Sequence, residues 1–384
     1  MTSDRTIRFS LPDITDAEVE AAVRALRSGW ITTGGECAAL EQELAEHLGA
    51  GHVVAMASCT HALEVAAAYL RLPRGSRIGV PTWTFVSSAL APYHRGLVPV
   101  LLDVDRHDLN LSAESLARAI EHDDLSAVVG VHFGGVPLSE RVHELCRDAG
   151  LPLIEDAAHA MGTVDHRGAM AGRGTAGACL SFYATKNLTS AEGGALVTDD
   201  PDLAAFAESF RLHGLSRDAW ARYLPGARTA GYDLVGDGLK ANLPDVLAAV
   251  ARVQLARFEQ MQGRRRELVL RYRARLGDVD GLGFVPGDRP DGCADHLMVV
   301  VLPDDVSRDA VQATMADHGI GTSVHFRPLH RFAWFAEQGI GTASGGTPVA
   351  DLLEQRVLSL PLHPVLTFQE VDRICDVLLD SLRS

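Results

Sequence analysis

The segment Leu151-Pro152-Leu153-Ile154-Glu155-Asp156-Ala157-Ala158-His159 is an apolar run that ends in an acid. It is followed by Ser181-Phe182-Tyr183-Ala184-Thr185-Lys186-Asn187. The runs that precede Asp156 and Lys186 are largely apolar throughout, as in strands that are covered on both faces. The chain therefore places an acid at the end of one predicted strand and an amine after a second.

Outward from these segments, short apolar runs alternate with helical patterns through the first two thirds of the chain. Helical patterns such as Thr60–Leu70 and Ala113–Ile120 lie between many of the apolar runs. This alternation predicts an α/β layer fold with a largely parallel sheet. The predicted strands are Val53–Met56, Arg77–Pro81, Val98–Val104, Ala127–His132, Leu151–Glu155, Ala178–Tyr183 and Gly194–Thr198.

The pattern changes near residue 250. Leu247–Leu276 is one long helical stretch, and shorter elements follow it. The length of 384 residues exceeds what one hydrophobic core usually supports. We therefore predict a large domain at residues 1–250 and a smaller α+β domain at residues 251–384. Predicted elements of the smaller domain are strands at His296–Leu302, Gly321–Phe326 and Val357–Leu360, and helices at Val306–Gly319 and Thr367–Leu382.

Bulk composition excludes several classes of protein. The net charge of −15 argues against nucleic acid as a partner, because contacts with phosphates need a basic surface. No apolar run is long enough to span a bilayer, and the N-terminus lacks the features of a signal peptide. A cytoplasmic protein with no membrane partner is expected. The six cysteines form no CxxC pair, so no metal site or disulfide framework is indicated.

Lysine is rare in this chain. Of the 35 lysines and arginines, only Lys186 and Lys240 are lysines, and the rest are arginines. An amine can lose its proton and condense with a carbonyl group, which a guanidinium cannot do. Most lysines are simply solvated, but the neighbours of Lys186 are small or apolar and it follows a predicted buried strand. Together with Asp156, it indicates a site for pyridoxal 5′-phosphate (PLP).

PLP also requires an acid against its pyridine nitrogen and a cradle for its phosphate. Asp156 fits the acid, although an aspartate after a strand is also a common helix N-cap. Ser58-Cys59-Thr60-His61 joins a predicted strand to a helix, where backbone N–H groups bind anions. Simple N-capping by Ser58 or Thr60 explains that motif equally. Ser181 would add a further hydroxyl to the phosphate.

Two rings are candidates for contact with the cofactor itself. His159 follows Asp156 by three residues and would touch the pyridine ring or its phenolic oxygen. Phe85, in the loop after the strand Arg77–Pro81, would stack on the ring. A lone histidine or aromatic more often only packs in the core, so both interpretations stay open.

Together these motifs resemble the DegT/StrS family of sugar aminotransferases, which have the aspartate-aminotransferase-like (type I) PLP fold. The resemblance runs over nearly the whole chain. The stretch Thr185–Gly194 is most similar to the branch that aminates C4 of nucleotide-linked sugars, of the UDP-4-amino-4-deoxy-L-arabinose synthase type. Further matching segments are Ser28–Gly34, Leu212–Gly214, Ala241–Asp245, Gly319–Thr322, His325–Arg327 and Leu358–Leu362.

The resemblance implies catalytic and cofactor-binding roles residue by residue. Lys186 would carry PLP, Asp156 would face the pyridine nitrogen and His159 would lie near the phenolic oxygen. Asn242 would reach the cofactor phosphate from the neighbouring subunit of a homodimer with composite active sites. The remaining cofactor contacts would be Ser58, Cys59, Thr60, the backbone of His61, Phe85 and Ser181.

The resemblance also implies a substrate side. His325 would face the substrate, and the loop that contains Trp30 and Thr33 would border the site. Lys240 either contacts a phosphate across the dimer or is simply exposed. Arg217 and Arg327 are candidates for a diphosphate. Four residues depart from the common family pattern, and the last two are expected to alter the substrate wall: Cys59, His61, Leu239 and Ala241.

We therefore predict a PLP-dependent aminotransferase that moves an amino group from glutamate or glutamine to a keto sugar, specifically a nucleotide-linked 4-keto sugar. A 3-keto sugar or a keto-cyclitol is the alternative acceptor. A non-catalytic ligand-binding or regulatory protein on the same fold is a rival from another class. Sugar dehydration is disfavoured, because family members that dehydrate typically lack the lysine that Lys186 matches.

Overall fold

A computed structural model describes residues 6–168, 176–216 and 232–383. Seven strands form one sheet in the order β1-β7-β6-β5-β4-β2-β3. Strands β2, β3, β4, β5 and β6 run parallel to one another, while β7 runs antiparallel to both β1 and β6. The sheet is thus mainly parallel, as predicted. Its strands are β1 His52–Met56, β2 Arg77–Pro81, β3 Val98–Leu102, β4 Leu125–Val131, β5 Leu153–Asp156, β6 Ala178–Ser181 and β7 Gly194–Thr198.

Helices cover both faces of this sheet. Along β1, Val54 and Met56 belong to the core under the helix Cys59–Tyr69, while Val53 and Ala55 belong to the core under the helix Gly35–Leu48. Successive side chains of a strand point to opposite faces, so a strand that is covered on both must be apolar throughout. The other helices of this layer are Asp16–Arg27, Ser87–His94, Ala113–His122, Glu140–Asp148, Pro201–Phe210 and Asp245–Ala256.

A second, antiparallel sheet of three strands lies in the C-terminal part, in the order β10-β9-β8. Its strands are β8 Gly283–Val285, β9 Met298–Val301 and β10 Val357–Leu360. A separate apolar core joins it to the helices Phe258–Leu276, Arg308–Asp317 and Phe368–Ser381. Ile7 also packs in this core and pairs with Ile320, so the chain enters beside the second sheet. The division at residue 250 stays a prediction.

Two predicted elements differ from the structure. The stretch Leu247–Leu276 is not one helix, because the chain breaks at Arg257 between Asp245–Ala256 and Phe258–Leu276. Arg257 has non-helical dihedral angles, and its guanidinium pairs with Asp13 and Glu18. Gly321–Phe326 is not a strand, since only Ser323 pairs, with Ser359 of β10. The strand β8 was not predicted, because three residues are too few to show the alternation of apolar and polar side chains that is typical of a strand.

Two findings concern the wider character of the chain. The six cysteines, all of them described, are buried and form no disulfide. Within residues 6–168, 176–216 and 232–383, no helix combines the length and the apolar character needed to cross a membrane.

Candidate active site

The carboxyl ends of β2, β4, β5 and β6 border a cavity of about 520 Å³. Ligands of open α/β sheets bind at this edge, because the loops that leave the strands meet there. Side chains of the second sheet and of the segment before β9 close the other wall. Nine residues predicted from the sequence line the cavity: Ser58, Cys59, Thr60, Phe85, Asp156, His159, Ser181, Lys186 and His325.

Lys186 stands on the turn that leaves β6. Its backbone N–H donates to the carbonyl of Tyr183 at 2.9 Å, which closes the turn and directs the residue to the cavity. Burial of the amine lowers the pKa of Lys186 from 10.5 to about 8, although the negative charge of Asp156 opposes this shift. A lysine with such a pKa is partly neutral near physiological pH, which a nucleophile or proton carrier requires.

Asp156 ends β5 and is 4% exposed. The hydroxyl of Ser88 donates to its Oδ2 at 2.6 Å, and the backbone N–H of Ala158 donates to its Oδ1 at 3.1 Å. The only hydroxyl hydrogen of Ser88 is used in this bond, so Thr84 donates to Ser88 at 2.7 Å. These donors hold the carboxylate in one orientation. Ser88 had no signal in the sequence, because it lies 68 residues from Asp156 along the chain.

Cys59 also faces this carboxylate. Its thiol donates to the carbonyl of Cys179 at 3.1 Å and lies 3.7 Å from Oδ1 of Asp156. Burial raises the pKa of Cys59 well above 9.0, and the charge of Asp156 adds to the shift, so the thiol keeps its hydrogen. The side chain therefore supports the carboxylate, and only the backbone of Cys59 belongs to the start of the helix Cys59–Tyr69.

The N-terminus of that helix opens on the cavity. Ser58 is its N-cap, and its hydroxyl accepts the backbone N–H of His61 at 3.3 Å. The imidazole of His61 bonds back to the same hydroxyl at 2.8 Å and does not line the cavity. The first turn carries no acidic side chain, and the hydroxyls of Thr60 and Ser181 lie nearby in the wall. Free N–H groups at such a terminus bind anions.

Gly194 allows this terminus to approach the sheet. A β-carbon on Gly194 would lie 2.5 Å from the backbone nitrogen of Cys59 and 2.5 Å from the carbonyl carbon of Ser58. No side chain fits in that space, so the Gly193-Gly194 pair of the sequence has a steric reason. The start of the helix is thereby pressed against β7.

His159 is 7% exposed, and its ring contacts those of His296 and Phe326 at centroid distances of 4.3 and 5.8 Å. The backbone N–H of Gly134 donates to its Nδ1 at 3.2 Å, so the ring hydrogen is on Nε2. Burial lowers the pKa of His159 well below 6.5, and the charge of Lys186 lowers it further. His159 is therefore a neutral donor. His296, another lining residue, had no signal in the sequence.

Two more rings stand in the wall. Burial lowers the pKa of His325 from 6.5 to about 4, and its Nδ1 lies 3.0 Å from the hydroxyl of Ser359. His325 also stacks on Phe9 at 5.4 Å. Phe85 is 56% exposed and lines the cavity, and its ring centroid lies 5.9 Å from that of Phe326.

Other predicted residues lie away from this cavity. Asn242 donates to the hydroxyl of Thr33 at 2.6 Å, and the exposed Lys240 contacts the side-chain oxygen of Asn242. The indole of Trp30 donates to the carbonyl of Thr33 at 2.9 Å. These four residues form one group on the surface of the protomer, outside the cavity wall.

Three further substrate-side residues lie outside the cavity wall of their own protomer. Arg327 donates to the carbonyl of Arg331 and lies over the ring of Phe332. Ala241 is fully buried, and Leu239 packs against the core below the helix Cys59–Tyr69. Their roles toward the substrate stay predictions, and Arg217 lies outside the described residues.

The residues that line the cavity fit PLP. A partly neutral amine, a carboxylate held by two donors and a helix N-terminus without acids match the aldehyde, the pyridine nitrogen and the phosphate in turn. The absence of a side chain at Gly194 lets the backbone at the start of this helix lie against β7. Fold and site together define a PLP-dependent enzyme of the aspartate-aminotransferase-like fold.

The chain belongs to the DegT/DnrJ/EryC1/StrS aminotransferase family, which matches residues 12–379. It is 36% identical over 381 residues to the spore coat polysaccharide biosynthesis protein SpsC of Bacillus subtilis (strain 168). The matched region covers 98% of this chain and 97% of SpsC.

Solved structures agree with this assignment. Spr1654 from Streptococcus pneumoniae, described as a sugar aminotransferase and solved in its PMP form, has a TM-score of 0.89 and 27% identity, covering 99% of this chain and 98% of that chain. The aminotransferase TlmJ from Streptoalloteichus hindustanus has a TM-score of 0.88 and 30% identity, covering 99% of each chain. The enzyme is a PLP-dependent sugar aminotransferase.

Proposed function

We propose that this enzyme transfers the amino group of glutamate or glutamine to a 4-keto sugar that is linked to a nucleoside diphosphate. The supporting observation is that no arginine is found among the described residues that line the cavity. Enzymes that exchange amino groups between two α-keto acids hold both carboxylates with bidentate arginines. A sugar ketone needs no such clamp. The name of SpsC, which assigns it to the synthesis of a polysaccharide, also supports a sugar as acceptor.

We assign the cofactor contacts to the groups that meet in the cavity. Lys186 would carry PLP, Asp156 would keep a proton on the pyridine nitrogen, and the start of the helix Cys59–Tyr69 with Thr60 and Ser181 would hold the phosphate. When bound, PLP takes up the electron pair that is released at the reacting carbon. Phe85 would cover one face of the pyridine ring of PLP, because the Phe85 side chain is exposed and lines the cavity.

Lys186 would move the proton in both halves of the reaction. With a pKa of about 8, about a tenth of the amine is neutral at pH 7. In the first half, a neutral Nζ would take the proton from the α-carbon of the amino donor and deliver it to C4′ of the cofactor. In the second half, Nζ would take a proton from C4′ and deliver it to the former carbonyl carbon of the sugar.

We further propose a homodimer with composite sites. Asn242 and Lys240 lie outside the cavity of their own protomer, and Lys240 is exposed. Both observations support a role at the cavity of a second copy, where Asn242 would bond the cofactor phosphate and Lys240 would meet a phosphate of the nucleotide.

The test is a comparison of specificity constants with the pyridoxamine form of the enzyme. The acceptors are a nucleotide 4-keto sugar, a nucleotide 3-keto sugar, a keto-cyclitol and pyruvate, with Lys186→Ala as the inactive control. We expect the 4-keto sugar to react with the highest kcat/KM. A clear preference for another acceptor contradicts this proposal and leaves the PLP assignment unaffected.

A further inference from the structure

His296 is a histidine of the cavity wall that has no part in the reaction described above. It stands just before β9, is 5% exposed, and its ring lies 4.3 Å from that of His159 with an angle of 35° between the planes. The two imidazoles come from different sheets of the protein, yet they pack more closely than any other ring pair in the wall. Such a contact constrains where His159 can point.

The position of the hydrogen on His296 follows from its neighbour Asn187. The amide nitrogen of Asn187 lies 2.7 Å from the carbonyl oxygen of Ala294, which can only accept a hydrogen bond. The NH2 group must therefore face Ala294, and the amide oxygen faces Nδ1 of His296 at 2.8 Å. Hence Nδ1 of His296 carries the hydrogen, and Nε2 is bare while the ring is neutral.

Gln262 makes this arrangement rigid. Its own amide nitrogen donates to the same carbonyl of Ala294 at 2.5 Å, and its oxygen accepts from Asn187 at 3.0 Å. Neither amide can turn over without losing a bond to Ala294. Asn187, Gln262 and His296 are all buried, so no water is at hand to replace a lost bond.

The two imidazoles are thus fixed in opposite tautomers. Gly134 sets the hydrogen of His159 on Nε2, and Asn187 sets that of His296 on Nδ1. We propose that His296 is a positioning residue for His159, held by Asn187, and that it keeps the Nε2–H of His159 directed at the phenolic oxygen of the bound cofactor. This inference rests on the proposed function and on the place near the phenolic oxygen that the family resemblance implies for His159.

Asn187 also links this pair to the reacting amine, because it is the residue directly after Lys186. The bond from Asn187 to His296 therefore ties the turn that carries the lysine to the segment that precedes β9. One cluster fixes both the amine and the donor to the phenolic oxygen. The titratable groups that face the histidine pair are Lys186, His325 and Arg265.

The test uses the intact holoenzyme and the pH midpoint of its visible cofactor band, measured without substrates. A donor to the phenolic oxygen favours its deprotonated form. We therefore expect His296→Phe, which keeps a flat ring but cannot bond Asn187, to raise the midpoint by about one pH unit. Asn187→Leu should also raise the midpoint. In the double variant, the midpoint should rise only slightly more than in the single variant with the larger effect. His47→Phe, at a half-buried histidine that packs against Phe258 outside the cavity, is the matched control and should leave the midpoint unchanged.

A midpoint that is unchanged in His296→Phe, or additive effects of the two substitutions, would overturn the inference. If either variant fails to fold, nitrogen-15 NMR of the histidines in the wild-type holoenzyme decides the question. We expect the hydrogen on Nδ1 for His296 and on Nε2 for His159, and the reverse assignment for either ring contradicts the inference. Loss of the cofactor band in Lys186→Ala tests the proposed function separately, so the two failures are distinguishable.

Discussion

We expect Glu155→Gln to lower the free energy of unfolding by about 3 kcal/mol near pH 6. Glu155 precedes Asp156 on β5 and is fully buried. Its carboxylate accepts from Nε2 of His132 at 3.1 Å and from Nε2 of His143 at 3.0 Å. Nδ1 of His143 faces the carbonyl of Ser139 at 3.0 Å, so both nitrogens of this ring face acceptors and both carry hydrogens.

The magnitude follows from the pKa of the carboxyl group. Burial would raise the pKa of Glu155, but the hydrogen bonds and charges of His132 and His143 lower it from 4.5 to about 2. At about 1.4 kcal/mol per pKa unit, the difference corresponds to about 3 kcal/mol. Glutamine keeps the shape of the side chain, but its NH2 group faces a ring N–H where the carboxylate had an oxygen. The variant thus leaves a buried donor without its acceptor.

The pH dependence has a defined sign. The contribution of Glu155 is present above pH 4.5 and is lost as the pH falls through about 2. Burial lowers the pKa of His143, but the hydrogen bond and charge of Glu155 outweigh this and raise it above 6.5. The contribution of His143 is therefore complete below pH 6.5 and is lost as the pH rises through the raised pKa. The difference in the free energy of unfolding between wild type and Glu155→Gln is therefore largest between pH 4.5 and pH 6.5.

The assay is urea denaturation of the holoenzyme, followed by tryptophan fluorescence at about pH 5.5 and about pH 9. His122→Gln is the matched control, because His122 and Glu121 form an exposed pair at 3.7 Å and such pairs contribute little. The reasoning is refuted if Glu155→Gln is no less stable than His122→Gln at the lower pH, or if its deficit grows with pH.

Three further predictions concern the site. Lys186→Ala should fold but lose the visible cofactor band and nearly all activity, and borohydride should fix the cofactor to the peptide of Lys186; labelling at Lys240 would contradict this assignment. Asp156→Asn should lower kcat by at least about a hundredfold, because the pyridine nitrogen would lose its counter-charge; turnover close to that of wild type would make Asp156 a cap only. Mixing inactive Lys186→Ala with an inactive Asn242→Ala should restore activity through hybrid sites, and no recovery despite proven subunit exchange would place both residues in one protomer's site.

Much of the fold could be predicted because its signals are local. β2, β7 and β10 have the bounds that the apolar runs predict, and the other predicted strands of the large sheet shift by at most two residues at their ends. Burial on both faces produces a continuous apolar run, which any short window of sequence contains. The prediction of a strand at Gly321–Phe326 was wrong, because only Ser323 pairs and the side chains of His325 and Phe326 line the cavity.

The candidate site divides in the same way. Lys186 and Asp156 could be named from the sequence because rarity, chemistry and position after a strand are visible there, and both line the cavity. The group that contains Asn242 and Lys240 was named through resemblance, and within one protomer it lies elsewhere. Its role depends on a second copy of the chain, so it remains a prediction.

The sequence by itself determined the α/β layers, the reacting amine and the acid, since each depends on residue type and on neighbours along the chain. Only the tertiary structure decided which groups hold them. Ser88 bonds Asp156 across 68 residues, and Asn187 bonds His296 across 109. The physical reason is that a hydrogen bond needs two atoms within about 3 Å. Folding brings such atoms together from distant parts of the chain, and no local period or propensity records which ones will meet.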